Sequence, residues 1–559
     1  MGPYRADVKP GLRDIKIEVK KMMKNKFYQY GNQSGRVPAY PNLGKEVYDN
    51  MVANKDIVAL VNADTSEQMT YGEMAQSIAD IALSLSRMGI GKGDVVCICS
   101  EKNFEFLPTV LGVICSGAVF SPTDLTYGSH PLAHRVKIVR PRVVFCSLTA
   151  FIQHKPVFDE VGSVEHYILY GDQAQDGAIL FKDFLTETVP LEDFEPVPVN
   201  GLEDTAIILY TSGTTGLPKG VPITHMGFLL NSQNMTTEDY KAMVLYTSRE
   251  FFHSYGLMYA LACLRSSATL VYNVNGGEVP MLEAVQKYKL FWLSKVQGLV
   301  HSLCGSGLHS THGKRRGGSE CIVLLFPSIP SLVSVLQLYG MSEGGCICNE
   351  LACTKGYKAG SSGLPGLGFI MKLISANCCA NTSSHMDMVV DLETRQPLGP
   401  NRQGEICIKG PSVMKAYLGN VQPDCKDEEG FLKTGDVGYY DEDGYFFVVN
   451  RIKELIKFND ISVAPAEFED ILLQHPAVRE VGVVGKPHHV HGEVPVAFIV
   501  LQSGATASEA ELVEHLNSRV TYKMRLAGGV RFIDRLPRGA GDKLDRKDLM
   551  QRLVDEDSN

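Results

Sequence analysis

Apolar residues recur along this chain in two alternating rhythms. Met74, Ile78, Ala82, Leu85 and Met88 fall three and four residues apart, the spacing of one helix face. Thr70 and Glu73 precede them at capping-box spacing, and Gly89 supplies the stop. Short uninterrupted apolar runs at 95–99, 143–146, 167–170 and 206–210 read as buried strands, with 107–115 as a helix after the first. Short strands alternating with helices predict α/β architecture: parallel-rich sheets covered by helices. The rhythm changes near residue 399. Gly399, Pro400, Asn401 and Gly404 make a turn-rich stretch, and 439–449 reads as strand, turn, strand around Asp441-Glu442-Asp443-Gly444. Beyond residue 450 come a helix at 465–473, strands at 481–484 and 496–501, and a helix at 509–520. The predicted division is an extension at 1–35, a large domain at 36–449, a hinge near 450, and a small α+β domain at 451–559.

Composition narrows the class. Hydrophobic residues make up 44% of the 559 and charged residues 21%, which excludes global disorder, a collagen-like fibre and a disulfide-stapled mini-protein. A chain of this length exceeds one ordinary core. With 54 Lys+Arg against 63 Asp+Glu, the net charge of -9 gives no electrostatic footprint for nucleic acid or anionic membrane. No run of eighteen apolar residues predicts a membrane span. The charged N-terminus lacks a signal core, and Asp555-Glu556-Asp557-Ser558-Asn559 is no Ser-Lys-Leu-type peroxisomal signal. Fourteen cysteines fit reduced thiols, and the expectation is a soluble cytoplasmic protein. Nothing in the sequence signals an oligomeric state.

The strongest chemical signal is Tyr210-Thr211-Ser212-Gly213-Thr214-Thr215-Gly216-Leu217-Pro218-Lys219-Gly220, directly after an apolar strand. Glycines let backbone amides approach an anion. Thr211, Ser212, Thr214 and Thr215 add hydroxyl donors, and Lys219 adds a positive charge suited to a triphosphate. The GxxxxGK[ST] spacing is absent. On composition alone, a Ser/Thr/Gly surface loop is an equal reading.

This segment resembles the signature loop of the adenylate-forming superfamily: acyl- and aryl-CoA synthetases, 4-coumarate–CoA ligases, beetle luciferases and peptide-synthetase adenylation domains. The resemblance runs from about residue 45 to 550. It implies an AMP-binding large domain that includes a distorted barrel-like subdomain, followed by a small mobile C-terminal domain. Phe252-His253-Ser254-Tyr255-Gly256-Leu257 resembles the family's aromatic-His segment, which places His253 at the acyl pocket. Tyr339-Gly340-Met341-Ser342-Glu343 resembles its YGxTE segment. By that resemblance Tyr339 stacks on adenine, Ser342 reaches the α-phosphate and Glu343 holds Mg²⁺, a hard ion suited to oxygen ligands. Thr434-Gly435-Asp436 matches the segment whose Asp binds the ribose hydroxyls. Arg451, Lys453 and Lys457 match cations near the nucleotide, and Lys543 matches the late catalytic lysine that clamps the pentavalent transition state. The implied reaction joins a small aryl or fatty carboxylic acid to CoA, using ATP and Mg²⁺, through an acyl-adenylate, releasing pyrophosphate and then AMP.

The chain departs from that pattern in several places. Asn450 stands where relatives often have Asp. Residues 305–318 lack the family's Gly-Gly/Ala-Ala-Pro-like loop, and 322–338 is apolar without a helix's polar face. A mis-spliced or frame-shifted reading frame across 290–340 would account for both. Lys314-Arg315-Arg316 reads as a solvated loop. Residues 373–385 look inserted, and Cys378, Cys379 and His385, like Cys346, Cys348 and Cys353, lack zinc-knuckle spacing. Asn459 and Asp460 stand where relatives have Lys and Gly at the CoA channel, removing one positive charge and adding a negative one. Asp542 replaces the Gly before the late lysine. Two classes follow: a working ligase, or a degraded, repurposed nucleotide-binding relative. Between them lies an adenylating enzyme impaired in its CoA step. A luciferase-like oxygenase has no separate signal.

Overall fold

The capping box at Thr70 forms as its spacing predicts. Thr70 Oγ1 accepts from the Glu73 N–H at 3.2 Å, and the Glu73 carboxylate accepts from the Thr70 N–H at 2.7 Å, starting the helix Tyr71–Arg87. The computed structural model describes residues 29–31, 42–123, 125, 129–186, 188–211, 218–236, 241, 243–274, 278–288, 290, 292–294, 319–325, 333–350, 356, 358, 360–374, 397–421, 423–458, 461–463, 465–519, 525–539 and 544–558.

Two sheets carry the α/β part of the large domain. The first has seven strands, ordered Gly220–Thr224, Thr205–Tyr210, Val119–Pro122, Val95–Cys99, Val143–Cys146, His166–Leu169 and Ile179–Leu180. All neighbours are parallel except the first pair. Pro222 sits on that outermost strand, where a missing N–H is tolerated. The second sheet has nine strands. Val244–Thr247 pairs parallel with both Thr269–Tyr272 and Trp292–Ser294, and Val58–Asn62 also joins parallel. Antiparallel strands complete it, among them Val333–Met341 and Gly345–Asn349. The stretch that shows no helical face in sequence contributes strands here: Ser319–Leu325 pairs antiparallel with Val333–Met341.

The helix Phe106–Cys115 is buried at every residue, which explains why its sequence shows no polar stripe. Against it lies Tyr71–Arg87. Gly112 permits the approach, since a Cβ there would stand 2.6 Å from Ile81 Cγ2. Each fully buried Phe or Leu of this core contributes about 1.5–3 kcal/mol.

A third, antiparallel sheet of five strands ends in Leu432–Tyr440 and Phe446–Arg451. Separate apolar clusters then begin at Ile456. They pack the sheet of Ile456–Phe458, Ile461–Val463, Val478–His488, Gly492–Leu501 and Val530–Phe532 against the helices Pro465–Leu472, Glu509–Asn517 and Arg546–Ser558. The result is a two-domain α/β architecture. Among the described residues, no helix is long and apolar enough to cross a membrane.

Candidate active site

The phosphate-loop candidate is a connection within a hairpin. Thr205–Tyr210 and Gly220–Thr224 run antiparallel, with Gly220 opposite Tyr210. Thr211 N–H donates to the Lys219 carbonyl at 3.1 Å, and Lys219 N–H donates to Thr211 Oγ1 at 3.3 Å. The neck is thus fixed on both sides. Ser212, Gly213, Thr214, Thr215 and Gly216 lie outside the described residues. The helix Ser129–Val139 supports the base. His134 Nε2 lies 3.1 Å from the Pro218 carbonyl oxygen, and the Arg135 guanidinium stands 4.4 Å from the Tyr210 ring centre. Gly220 has no room for a side chain, as a Cβ would come within 2.8 Å of Leu418 Cδ1.

Glu343 reaches the same place from the second sheet. It follows the strand Val333–Met341, in a turn closed by Gly344 and Gly345. Asn231, on the helix His225–Met235, holds that turn. Its Nδ2 donates to the Gly344 carbonyl at 2.6 Å, and its Oδ1 accepts from the Cys346 N–H at 2.9 Å. Gly345 has φ +73°, and a Cβ there would collide with Asn231 Nδ2. Ser342 Oγ donates to the Tyr210 carbonyl at 3.4 Å, docking the turn on the strand that carries the loop.

The Glu343 side chain is buried, with the residue 8% exposed. Tyr417 OH donates to its Oε1 at 2.6 Å, and Lys219 Nζ stands 5.0 Å from the centre of the Tyr417 ring. Lys219, Tyr417 and Glu343 therefore form one connected group. Burial raises the Glu343 carboxyl above the usual range, against the pull of the Tyr417 hydrogen bond and the Arg451 charge. Burial and the neighbouring Glu343 likewise raise the Tyr417 phenol.

Asp436 lies on Leu432–Tyr440, in register with Arg451 on the next strand and close enough for its charge to act on Glu343. It is 2% exposed. Its Oδ1 is 3.1 Å from Arg451 Nε, and its Oδ2 accepts from Tyr339 OH at 2.7 Å. Thr434 Oγ1 accepts from the Asp436 N–H at 3.1 Å. Each carboxylate oxygen can accept a second bond. Tyr339, expected as an adenine platform, is 1% exposed with its hydroxyl on Asp436. In this arrangement its ring is core and its polar tip orients the carboxylate.

The structure thus gathers Thr211, Lys219, Tyr339, Ser342, Glu343, Asp436 and Arg451. His253 immediately precedes the helix Ser254–Arg265, its ring 4.8 Å from that of Phe252. Lys453 is exposed in the turn Ile452–Glu454, and Lys457 lies on Ile456–Phe458. Lys543, Asn459 and Asp460 lie outside the described residues, as do Cys353, Cys378, Cys379 and His385. Cys346 and Cys348 are buried in a strand, and no group of three or more metal-ligating side chains occurs among the described residues.

Sequence reasoning missed Tyr417, Asn231 and Arg135. Only Tyr417 carries a usable hint: an aromatic in the Lys415-Ala416-Tyr417-Leu418-Gly419 turn region, away from any apolar period. Tyr417→Phe should lower the unfolding free energy by about 2 kcal/mol, since a hydrogen bond to a charged group contributes about 1.5–3 kcal/mol. It should also raise the Glu343 pKa further, moving the acid limb of ATP-dependent turnover to higher pH. Urea melts and a pH–rate profile check both.

Residues 48–418 match the family model described as AMP-binding enzyme, and residues 467–543 match the AMP-binding enzyme C-terminal domain. This chain belongs to the AMP-binding enzyme family. That places it in the adenylate-forming superfamily, with CoA ligases and luciferase-like enzymes. A luciferin 4-monooxygenase of Nipponoluciola cruciata is 31% identical over 552 residues, covering 93% of this chain and 96% of that protein. The 4-coumarate–CoA ligase 1 of Petroselinum crispum is 29% identical over 544 residues, covering 93% and 96%. Among solved structures, ATP-bound MatB from Rhodopseudomonas palustris aligns with a TM-score of 0.78 at 24% identity, covering 92% of this AMP-binding enzyme and 99% of MatB. The anthranilate CoA ligase AuaEII with anthranoyl-AMP gives a TM-score of 0.78 at 21% identity, covering 93% and 99%. These two likenesses are of fold.

Proposed function

We propose that this AMP-binding enzyme is an ATP-dependent carboxylate–CoA ligase. The observation that carries the reading is the buried Glu343, held by Tyr417 beside Lys219 and within reach of the charges of the Asp436–Arg451 pair. A substrate carboxylate oxygen attacks the α-phosphorus of ATP. The bond to the bridging oxygen breaks and pyrophosphate leaves. The CoA thiol, losing its proton, then attacks the acyl carbon, and AMP leaves with the bonding pair. Lys219 and the loop amides draw in the β- and γ-phosphates. Asp436 accepts from the ribose hydroxyls on its remaining lone pairs, with Arg451 and Tyr339 fixing its plane. Ser342 faces the α-phosphate, and Lys543 clamps the charge that builds on it. A buried carboxylate is a hard oxygen ligand, so Glu343 fits Mg²⁺, which when bound neutralises the polyphosphate.

The acid is aryl or fatty, and Phe252 beside His253 favours a flat ring. Asn459 and Asp460 favour a second reading, an adenylating enzyme with a weak CoA step, because they remove attraction for the CoA phosphates.

ATP–pyrophosphate exchange over a panel of aryl and fatty acids, with Lys543→Ala as control, tests the proposal. Exchange with at least one acid, lost in the variant and followed by a CoA ester, supports it. Exchange without ester selects the second reading. No exchange with any acid leaves a non-catalytic nucleotide-binding relative.

A further inference from the structure

The last helix, Arg546–Ser558, opens on a guanidinium to which the adenylation chemistry assigns no task. Arg546 Nη1 donates to Glu469 Oε1 at 2.6 Å and to the Val483 carbonyl at 2.8 Å. Its Nη2 donates to Glu469 Oε2 at 3.3 Å, and its Nε to Glu454 Oε2 at 3.4 Å. Four of its five N–H groups have acceptors. Glu469 also accepts from the Val483 N–H at 2.9 Å.

These partners belong to two different places. Glu469 and Val483, on Pro465–Leu472 and Val478–His488, are the body of the small domain. Glu454 is not. It ends the turn Ile452–Glu454, directly after Arg451, the residue paired with Asp436. One guanidinium therefore ties the hinge turn to the domain body. The same guanidinium sits at the root of the segment that carries Lys543. Arg538 and Leu544 pair antiparallel, and Asp545 N–H donates to the Pro537 carbonyl at 3.0 Å. Arg538 and Leu544, which flank Lys543 in sequence, are thus held together two residues before Arg546.

We propose that Arg546 is a positioning residue for adenylation. By holding Glu454 it makes the hinge turn rigid with the small domain, so that torsions at 450–451 move the turn and the domain body as one unit. This rests on the ligase reading. The two ties differ in strength. The Glu469 side chain is 16% exposed and bound through both oxygens, and Glu454 is 30% exposed and bound through one. Glu454 can therefore be removed without opening the domain.

Glu454→Ala should lower the kcat of pyrophosphate exchange about tenfold, with the KM for ATP within twofold and an unchanged melting temperature. Glu454→Gln keeps an acceptor oxygen and should recover most of the loss. Backbone amides at 452–458 should exchange hydrogen at least tenfold faster in Glu454→Ala than in the parent chain, and amides of Val478–His488 should not. An unchanged kcat, equal losses in the Ala and Gln variants, or unaltered exchange at 452–458 would each overturn the proposal. A parent chain that activates no acid would sink the ligase reading instead. The hydrogen-exchange comparison would still decide whether the tie exists.

Discussion

Asp436→Ala should weaken ATP binding about 100-fold and destabilise the fold together. The carboxylate is 2% exposed and holds two groups, Arg451 Nε at 3.1 Å and Tyr339 OH at 2.7 Å. Removing one side of a buried ion pair destabilises by about 3–5 kcal/mol, because the other side stays desolvated. The Arg451 side chain is 36% exposed, so water recovers part of that, and a loss of about 2–3 kcal/mol is expected. The Tyr339 hydroxyl has no such relief. Charge-assisted bonds to two ribose hydroxyls contribute about 1.5–3 kcal/mol each, enough for a 100-fold rise in the KM for ATP. Asp436→Asn, which keeps an acceptor and the side-chain volume, should lose less in both respects. Urea unfolding and ATP titration measure the two effects. Wild-type ATP affinity in Asp436→Ala would remove this residue from the nucleotide site.

Glu343→Gln should behave oppositely in stability while losing as much in function. Burial raises the folded pKa of this carboxyl above its unfolded value. Its stabilising contribution is therefore complete below the unfolded Glu value, about 4.3, and is lost as pH rises through the folded value. Near neutral pH, ionised Glu343 burdens the fold. The amide carries no charge and still offers Tyr417 an acceptor oxygen. The melting temperature should hold or rise by a few degrees. Pyrophosphate exchange should fall about 10²-fold, the scale of losing one preorganised charge at a phosphoryl-transfer site. A destabilised Glu343→Gln, or one that exchanges pyrophosphate normally, would show that the buried carboxylate is a structural group. Such a trade of stability for function marks a residue placed for chemistry rather than packing.

Local patterning made much of the architecture legible. The Thr70–Glu73 cap and the apolar strand before the hydroxyl-rich loop are short-range signals, and each forms where its spacing puts it. Helix ends were less accurate. Glu509–Asn517 stops before the expected residue 520, and Pro465–Leu472 before 473. What spacing could not give is contact across long sequence separations. Tyr417 meets Glu343 from 74 residues away, and Arg546 meets Glu454 from 92. Asn231 had no signal, because its helix is buried on nearly every side and offers no stripe to read. The run at 319–341 gave neither period, since both of its strands are apolar throughout much of their length. Gly345 looked like one more turn glycine. Only its left-handed φ and the Asn231 amide against it show why a side chain cannot stand there.

Nine cysteine side chains are described, and all nine are buried. Six of the nine lie in sheets: Cys97, Cys99 and Cys146 in the seven-stranded one, Cys346 and Cys348 in the nine-stranded one, Cys407 in the antiparallel one. Burial pushes the Cys97 thiol up to about 12, so little thiolate exists to react. Alkylation at these positions must wait until a strand leaves its neighbours, and its rate becomes a clock for that opening. From Arg451 onward the chain has no cysteine at all. The smaller lobe therefore leaves this chemical record blank, and whatever label accumulates at the six sheet positions dates the loosening of the larger lobe alone.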